Sequence, residues 1–210
     1  MIVHRVPQRS PEWYALRCGK LTASCAADVL AIGKGAAEAV TRRDLRLKLA
    51  CERLTGVPES GGYVNEDMQR GIEKEPAAIG AYESRSGVLV DTSVGFMEHD
   101  AVMAGYSPDG RVGDGLVECK CPKTATHLGY LKDPSSLAKK YAAQAWHGLW
   151  ISGAAWMDLV SFDDRLPAHL SLVVVRVWPE KVPDYELAAT LFLNEVVAEV
   201  NALNALKETK

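Results

Sequence analysis

Apolar residues recur along this chain with two periods. Near its C-terminal end Leu187, Leu191, Val196, Val200 and Leu203 share one helical face, in a helix that begins at Pro183 and runs to about Leu206. Leu45, Leu49 and Leu54 mark a helix from about Arg42 to Leu54, opened by Thr41 with Asp44 and closed by Gly56. A longer one, Glu66 to Ser84 with Asn65 as its cap, carries Met68, Ile72, Ala78, Ile79 and Tyr82; Pro76 should bend or reset it. Ser135 caps a helix from Leu137 to about Ile151, with Tyr141, Ala145 and Leu149 at helical spacing. A short helix starts at Pro11 behind the N-cap Ser10, and an Ala-rich helical stretch, Cys25 to Leu30, follows Thr22-Ala23-Ser24. Strands are expected over Gly87–Met97 (one or two), Val102–Tyr106, Trp156–Asp163 and Leu170–Trp178.

Between the second and third of these strands lies Tyr106 to Pro122, YSPDGRVGDGLVECKCP. Two tight turns, Ser107-Pro108-Asp109-Gly110 and Gly113-Asp114-Gly115, frame a β-hairpin. Alternation along its second strand puts Val117, Cys119 and Cys121 on one face and Leu116, Glu118 and Lys120 on the other. The hairpin brings Asp109 toward Glu118 and Lys120. Helices, hairpin sheet, helix, two strands and a final helix make a mixed α/β chain, read as one domain.

Composition narrows the class. The chain has 210 residues and a formal net charge of −3, which argues against a general polycation but leaves room for a local basic surface. No apolar run approaches a transmembrane span, and the N-terminus lacks the apolar core of a signal peptide. The five cysteines are odd in number and scattered, which fits a reducing cytoplasm rather than a disulfide framework.

Two readings stand for the hairpin residues. Asp109 is either a turn former, with Glu118 and Lys120 an ion pair on a wet sheet face, or one of two carboxylates that hold a hard cation such as Mg²⁺. In the second reading a metal-bound water is the nucleophile, Lys120 orients it or offsets charge on the phosphorane, and the Cys119 carbonyl is a further ligand. The otherwise apolar strand raises the second reading, because charges there are costly without a purpose. Arg17 and Ser24, near a helix start, are either a solvated arginine and a plain cap or a phosphate pocket. Arg42, Arg43, Arg46 and Lys48 form a basic patch, a solvated face or a surface that tracks a DNA backbone. Glu75 is a possible third carboxylate. Cys119-x-Cys121 with His127 gives a weak zinc reading, and the spacing supports no Cys–His nucleophile.

These pieces together resemble the phage lambda-type exonucleases, the YqaJ-like viral recombinase nucleases of the PD-(D/E)xK superfamily. The matching blocks are RSPEWYALRCGKLTAS, GIEKE with AYE after it, SPDG…ECKCP, and YAAQ followed by AWMDLVSFD, in the family's order and through about residue 163. The resemblance implies a restriction-endonuclease-like core, a mixed β-sheet flanked by helices. It also implies metal ligation by Asp109, Glu118, the Cys119 carbonyl and Glu75, and catalytic roles for Lys120 and Gln144 beside those carboxylates. Arg17, Ser24 and Ser107 would bind the 5′-phosphate of the digested strand. The implied enzyme is a Mg²⁺-dependent 5′→3′ exonuclease on linear double-stranded DNA, with two ions and Mn²⁺ as a substitute. It would release mononucleotides, leave a 3′ single-stranded tail for an annealing recombinase, work as a homotrimer and have no membrane partner. The loop around Lys34, which the resemblance sets against DNA with Arg42 and Arg43 nearby, is less basic here than the family pattern. The alternatives are a structure-selective or site-specific endonuclease of the same fold and a non-catalytic DNA-binding module.

Overall fold

The computed structural model describes residues 1–35, 37–59 and 66–206. Among them, strands pair into two four-stranded sheets. In the first, β1 (Ile2–His4) pairs antiparallel with β3 (Phe96–Glu98), which pairs antiparallel with β4 (Ala104–Tyr106); β4 pairs parallel with β2 (Leu21–Thr22). In the second, β5 (Gly110–Val112), β6 (Gly115–Lys120), β7 (Trp156–Phe162) and β8 (Leu172–Val177) lie in chain order, with only β6 and β7 parallel. A parallel pair needs a crossover, and α5 (Thr124–Lys132), α6 (Pro134–Lys140) and α7 (Ala142–Ser152) supply it. The chain is thus mixed α/β, with two mixed sheets in place of the one expected.

Alternation along β6 divides the core. Val117, with Val160, Phe162 and Leu172, packs under Ala78, Ile79 and Tyr82 of α4 (Glu66–Ser86), and Cys119 and Cys121 line the same cluster. Leu116 faces the larger core, with Leu137, Leu149, Met157 and Leu159, and with Phe192 and Val196 of α8 (Val182–Ala205). That two-sided burial is what the period-two pattern requires.

Helix ends show where side chains override pattern. Ser10 caps α1 (Pro11–Arg17) by accepting from the Trp13 amide at 3.2 Å, and Gly56, at φ 67°, closes α3 (Val40–Thr55). α3 begins before Thr41, with Ala39 at its N-cap and no capping side chain. α4 runs through Pro76 without a break, held by its packing on the second sheet. Its expected cap Asn65 lies outside the described residues. Within Gly87–Met97 strand structure is limited to the Asp91–Arg111 bridge and the start of β3, since the Glu83 carboxylate accepts the Val90 amide at 2.8 Å. Asp133, not Ser135, caps α6, and the helix breaks at Tyr141 (φ −107°, ψ 16°) before α7 resumes. α5 was not anticipated: its buried side chains are His127 and Tyr130, which form no apolar stripe. After the three-residue α2-leading turn Ala23–Cys25, α2 (Ala26–Val29) is short. Among the described residues no helix is long and apolar enough to cross a membrane.

Two buried polar groups tie the pieces that carry the site. Glu52 of α3 accepts the Gly19 amide at 2.7 Å and the Glu59 amide at 3.0 Å, pinning the turn after α1. His147 of α7 is fully buried between the Gly105 carbonyl of β4 at 3.0 Å and the Tyr185 hydroxyl of α8 at 2.8 Å. The carbonyl can only accept, so Nε2 donates to it and Nδ1 accepts from Tyr185. Burial is the main cause that pushes His147 down to about 4, against an ordinary value of 6.5. A folded-state value below the unfolded one means stability is complete above about pH 6.5 and falls as pH drops toward 4. The loss from this residue is about 3 kcal/mol, at about 1.4 kcal/mol per unit. Urea unfolding from pH 4.5 to 7.5 should show that slope, and His147→Gln, which keeps a donor toward Gly105, should flatten it.

Candidate active site

The chain passes from the first sheet to the second through Tyr106-Ser107-Pro108-Asp109-Gly110. Gly110 is required there: a Cβ would stand 2.1 Å from Val90 Cγ1. The turn aims Asp109 back at β6, where its Oδ2 accepts the Cys119 amide at 2.7 Å. Glu118 sits next to that amide, is only 4% exposed, and accepts three hydrogen bonds. Lys120 Nζ and Gln144 Nε2 donate to Oε1 at 2.7 and 2.5 Å, and the Tyr106 hydroxyl donates to Oε2 at 2.7 Å. Lys120 also lies 4.8 Å from the Tyr141 ring centre. Glu75 of α4 receives Arg9 at 3.2 Å.

The electrostatics are those of converging carboxylates. Burial, then the charges of Glu118 and Glu75, hold the Asp109 carboxyl well above its usual range, with Lys120 pulling the other way. For Lys120 burial opposes the charge, but Glu118 and Asp109 outweigh it and hold the ammonium above its ordinary value. The residues present fit a hard divalent cation: carboxylate oxygens that repel one another in a partly buried pocket are relieved by a positive ion. Among the described residues no cluster of three or more His, Cys, Asp or Glu is arranged tightly enough to hold a metal as it stands. Glu118 is turned onto protein donors instead. The Cys119 and Cys121 thiols point to the other face of β6, into the cluster under α4. Burial leads in pushing Cys121 up to about 11 and Cys119 well above its ordinary value, so both stay protonated. His127 is committed to Ser161 at 2.8 Å and to the Leu170 carbonyl at 2.9 Å.

A second cluster joins the first through the same turn. Arg17 donates to Ser107 Oγ at 3.1 Å and to Thr22 Oγ1 at 3.3 Å, and Thr22 Oγ1 lies 3.3 Å from Ser24 Oγ. The Arg17 guanidinium stacks 4.0 Å over Trp13, whose indole N–H also reaches Ser107 at 2.9 Å. Burial lowers Arg17 from its ordinary value without threatening its charge. A cavity of about 410 Å³ opens beside this cluster, with Arg9, Trp13, Arg17, Thr22 and Ser24 on its wall. A wider groove of about 660 Å³, between α2 and α3, contains none of these groups apart from the neighbouring Cys25.

The structure therefore brings together Asp109, Glu118, Cys119, Lys120 and Gln144, with Glu75 close enough to act on Asp109. It also brings together Arg17, Ser24 and Ser107. It does not assemble the expected basic face. Arg42 pairs with Glu38 at 2.7 Å and with Glu195 of α8 at 2.8 Å; Arg46 pairs with Glu38 and Glu199. Arg43 pairs with Asp44 at 2.8 Å. These arginines fasten α3 to α8 or to their own helix, so the patch is largely neutralised. Lys34 lies between α2 and α3, outside any helix or strand. Tyr106, Trp13, Thr22 and Arg9 had no assigned role in the sequence reading. Tyr106 was legible in principle, as the residue that enters the turn.

A family model, the YqaJ-like viral recombinase domain, matches residues 12–155. Among solved structures, the chain is similar to an alkaline exonuclease (LHK-Exo) from Laribacter hongkongensis, with 37% identity and a TM-score of 0.83 over 95% of this chain and 98% of that one. LHK-Exo in complex with dAMP matches over the same shares with 36% identity and a TM-score of 0.83. A phage-related exonuclease from Haemophilus somnus 129PT matches with 17% identity and a TM-score of 0.64, over 86% of this chain and 96% of that one, a likeness of fold alone. No curated protein matches the chain.

Tyr106→Phe removes one donor from the buried Glu118 and nothing else. In chelator the variant should lose about 1.5–3 kcal/mol of stability, the worth of a hydrogen bond to a charged group. Urea titration measures it, and an unchanged midpoint would sink the bond's importance.

Proposed function

The chain belongs to the YqaJ-like viral recombinase family, and we propose that it is a divalent-metal-dependent 5′→3′ exonuclease on linear double-stranded DNA. In this reading residues 1–210 work as one exonuclease domain that releases mononucleotides and leaves a 3′ single-stranded tail. One observation carries it beyond the family likeness. Ser107 belongs to the arginine pocket and Asp109 to the carboxylate cluster, and they are two residues apart. Two residues span at most about 7 Å, the order of one nucleotide step along a strand. A terminal phosphate held by Arg17, Thr22, Ser24 and Ser107 sets the next phosphodiester at Asp109 and Glu118. The product of that register is a mononucleotide.

Asp109, Glu118 and the Cys119 carbonyl would hold the cation, with Glu75 toward a second ion. Mg²⁺ suits these oxygen donors, and Mn²⁺ should replace it. When bound, the cation supplies a water of lowered pKa and offsets charge on the phosphate oxygens. The chain's own residues do the rest. Lys120, kept charged by its neighbours, donates toward the attacking water or the negative oxygens that develop. Gln144 and Tyr106 fix the Glu118 carboxylate. Arg17, stacked on Trp13 and desolvated, is preorganised for two charge-assisted bonds to a terminal phosphate. A homotrimer around DNA and hand-over of the tail to an annealing recombinase rest on the family likeness.

An endonuclease of the same fold is the second reading; the half-buried arginine pocket favours end dependence over it. The test offers linear duplex with 5′-phosphates, the same duplex with 5′-hydroxyls, and a closed circle, each with Mg²⁺ or chelator. Nucleotide release is expected from the phosphorylated linear DNA, and chelation abolishes it. A cut circle would overturn the exonuclease reading. Lys120→Ala should lower the rate by roughly 10²–10³-fold or more and leave DNA binding intact. Arg17→Ala should erase the preference for phosphorylated ends; a preference that survives refutes the pocket.

A further inference from the structure

Arg9 is the one non-glycine residue with a left-handed backbone among the described residues, at φ 68°. Its neighbours fix it there. Gln8 donates to the Pro108 carbonyl at 2.8 Å, one residue before Asp109, and the Ser10 amide donates to the Pro7 carbonyl at 3.2 Å. The side chain reaches Glu75 at 3.2 Å and also borders the cavity that contains Arg17, Thr22 and Ser24. Arg9 thus stands between the arginine pocket and the carboxylates.

Stability does not account for an arginine at this position. A left-handed backbone disfavours every side chain relative to glycine. The ion pair gained in return is half in water, with Arg9 41% and Glu75 27% exposed, and such pairs contribute little. Strained backbone of this kind collects where function needs a side chain in one place. Among the described residues the guanidinium makes one hydrogen bond, to Glu75, and it carries five N–H donors. Its other edge is open for the planar, two-point contact that arginine makes with phosphate.

We propose that Arg9 is a substrate-binding residue that grips an internal phosphate of the digested strand while its other edge steadies Glu75. The assignment rests on the exonuclease reading. It adds a second phosphate contact, distinct from the terminal one at Arg17, so the strand is held on both sides of the nucleotide to be released.

The test uses Arg9→Gly, which relieves the backbone and so keeps the fold, and Arg9→Lys, which keeps the charge. Affinity for a short 5′-phosphorylated duplex is read by fluorescence anisotropy in chelator over a range of salt. Arg9→Gly is expected to unfold at the same or a higher temperature than the parent and to bind about tenfold more weakly. The slope of log affinity against log salt should be shallower by about one. Arg9→Lys should keep the slope. The ratio of binding to phosphorylated and hydroxyl ends should stay as in the parent, whereas Arg17→Ala collapses it. A lower unfolding temperature with an unchanged salt slope would make Arg9 a structural ion pair and overturn the proposal. So would a changed end ratio in Arg9→Gly, or a lost slope in Arg9→Lys. Nucleotide release by the parent with Mg²⁺ is measured alongside. A parent that binds but does not cut tells against the exonuclease reading, and one that cuts while Arg9→Gly keeps the parent's slope tells against Arg9 alone.

Discussion

A carboxylate buried on a strand between apolar neighbours is expensive unless donors surround it. Glu118 is that carboxylate, and its three donors come from three places. Tyr106 lies on the first sheet, Lys120 on the second, and Gln144 on the crossover helix between β6 and β7. The need to satisfy one charge therefore locks both sheets and α7 into a single arrangement. A second buried chain, Tyr185 to His147 to the Gly105 carbonyl, holds the same β4 strand from the side of α8. Gly105 and Tyr106 are adjacent, so the strand that feeds the turn is fixed on both sides.

The turn itself joins two chemistries. Its hydroxyl Ser107 belongs to an arginine and its carboxylate Asp109 to a lysine and a glutamate. A five-residue segment cannot stretch, so the spacing between the two clusters is set by covalent geometry rather than by side-chain choice. Glu52 secures the other wall of the arginine cluster by pinning Gly19, the turn that separates Arg17 from Thr22.

The hairpin and both its faces were legible in the sequence, because Asp-Gly turns and strict alternation leave few options. The cap at Ser10 and the stop at Gly56 were legible for the same reason: each is a local rule. What escaped depended on distant partners. Pro76 does not break α4, since the sheet beneath holds the helix. Glu83 removes a strand by taking the Val90 amide. Arg42 and Arg46 look like a DNA-facing patch until Glu195 and Glu199 arrive from more than 150 positions away to neutralise them. Charges along a helix can be counted from sequence, but whether they are free cannot. Among the site residues, Asp109, Glu118 and Lys120 were visible as a local pattern, whereas Gln144 and Glu75 stood out only through the family's order of motifs.

The charge balance of the site has a consequence for how DNA enters it. Three carboxylates, Asp109, Glu118 and Glu75, face two cations, Lys120 and Arg9. Burial first, and then the charges of Glu118 and Glu75, hold the Asp109 carboxyl above its usual range at the place where the proposed reading puts a phosphodiester. The arginine cluster lies at the other end of the turn, and in the proposed reading it would hold the 5′-phosphate while the scissile group lies at the carboxylates. In the proposed reading, phosphate capture at Arg17 and metal dependence at Asp109 would be two sides of one electrostatic design. The end would be held where the field is favourable, and a divalent ion held by Asp109 and Glu118 would offset the negative charge met by the bond to be cut.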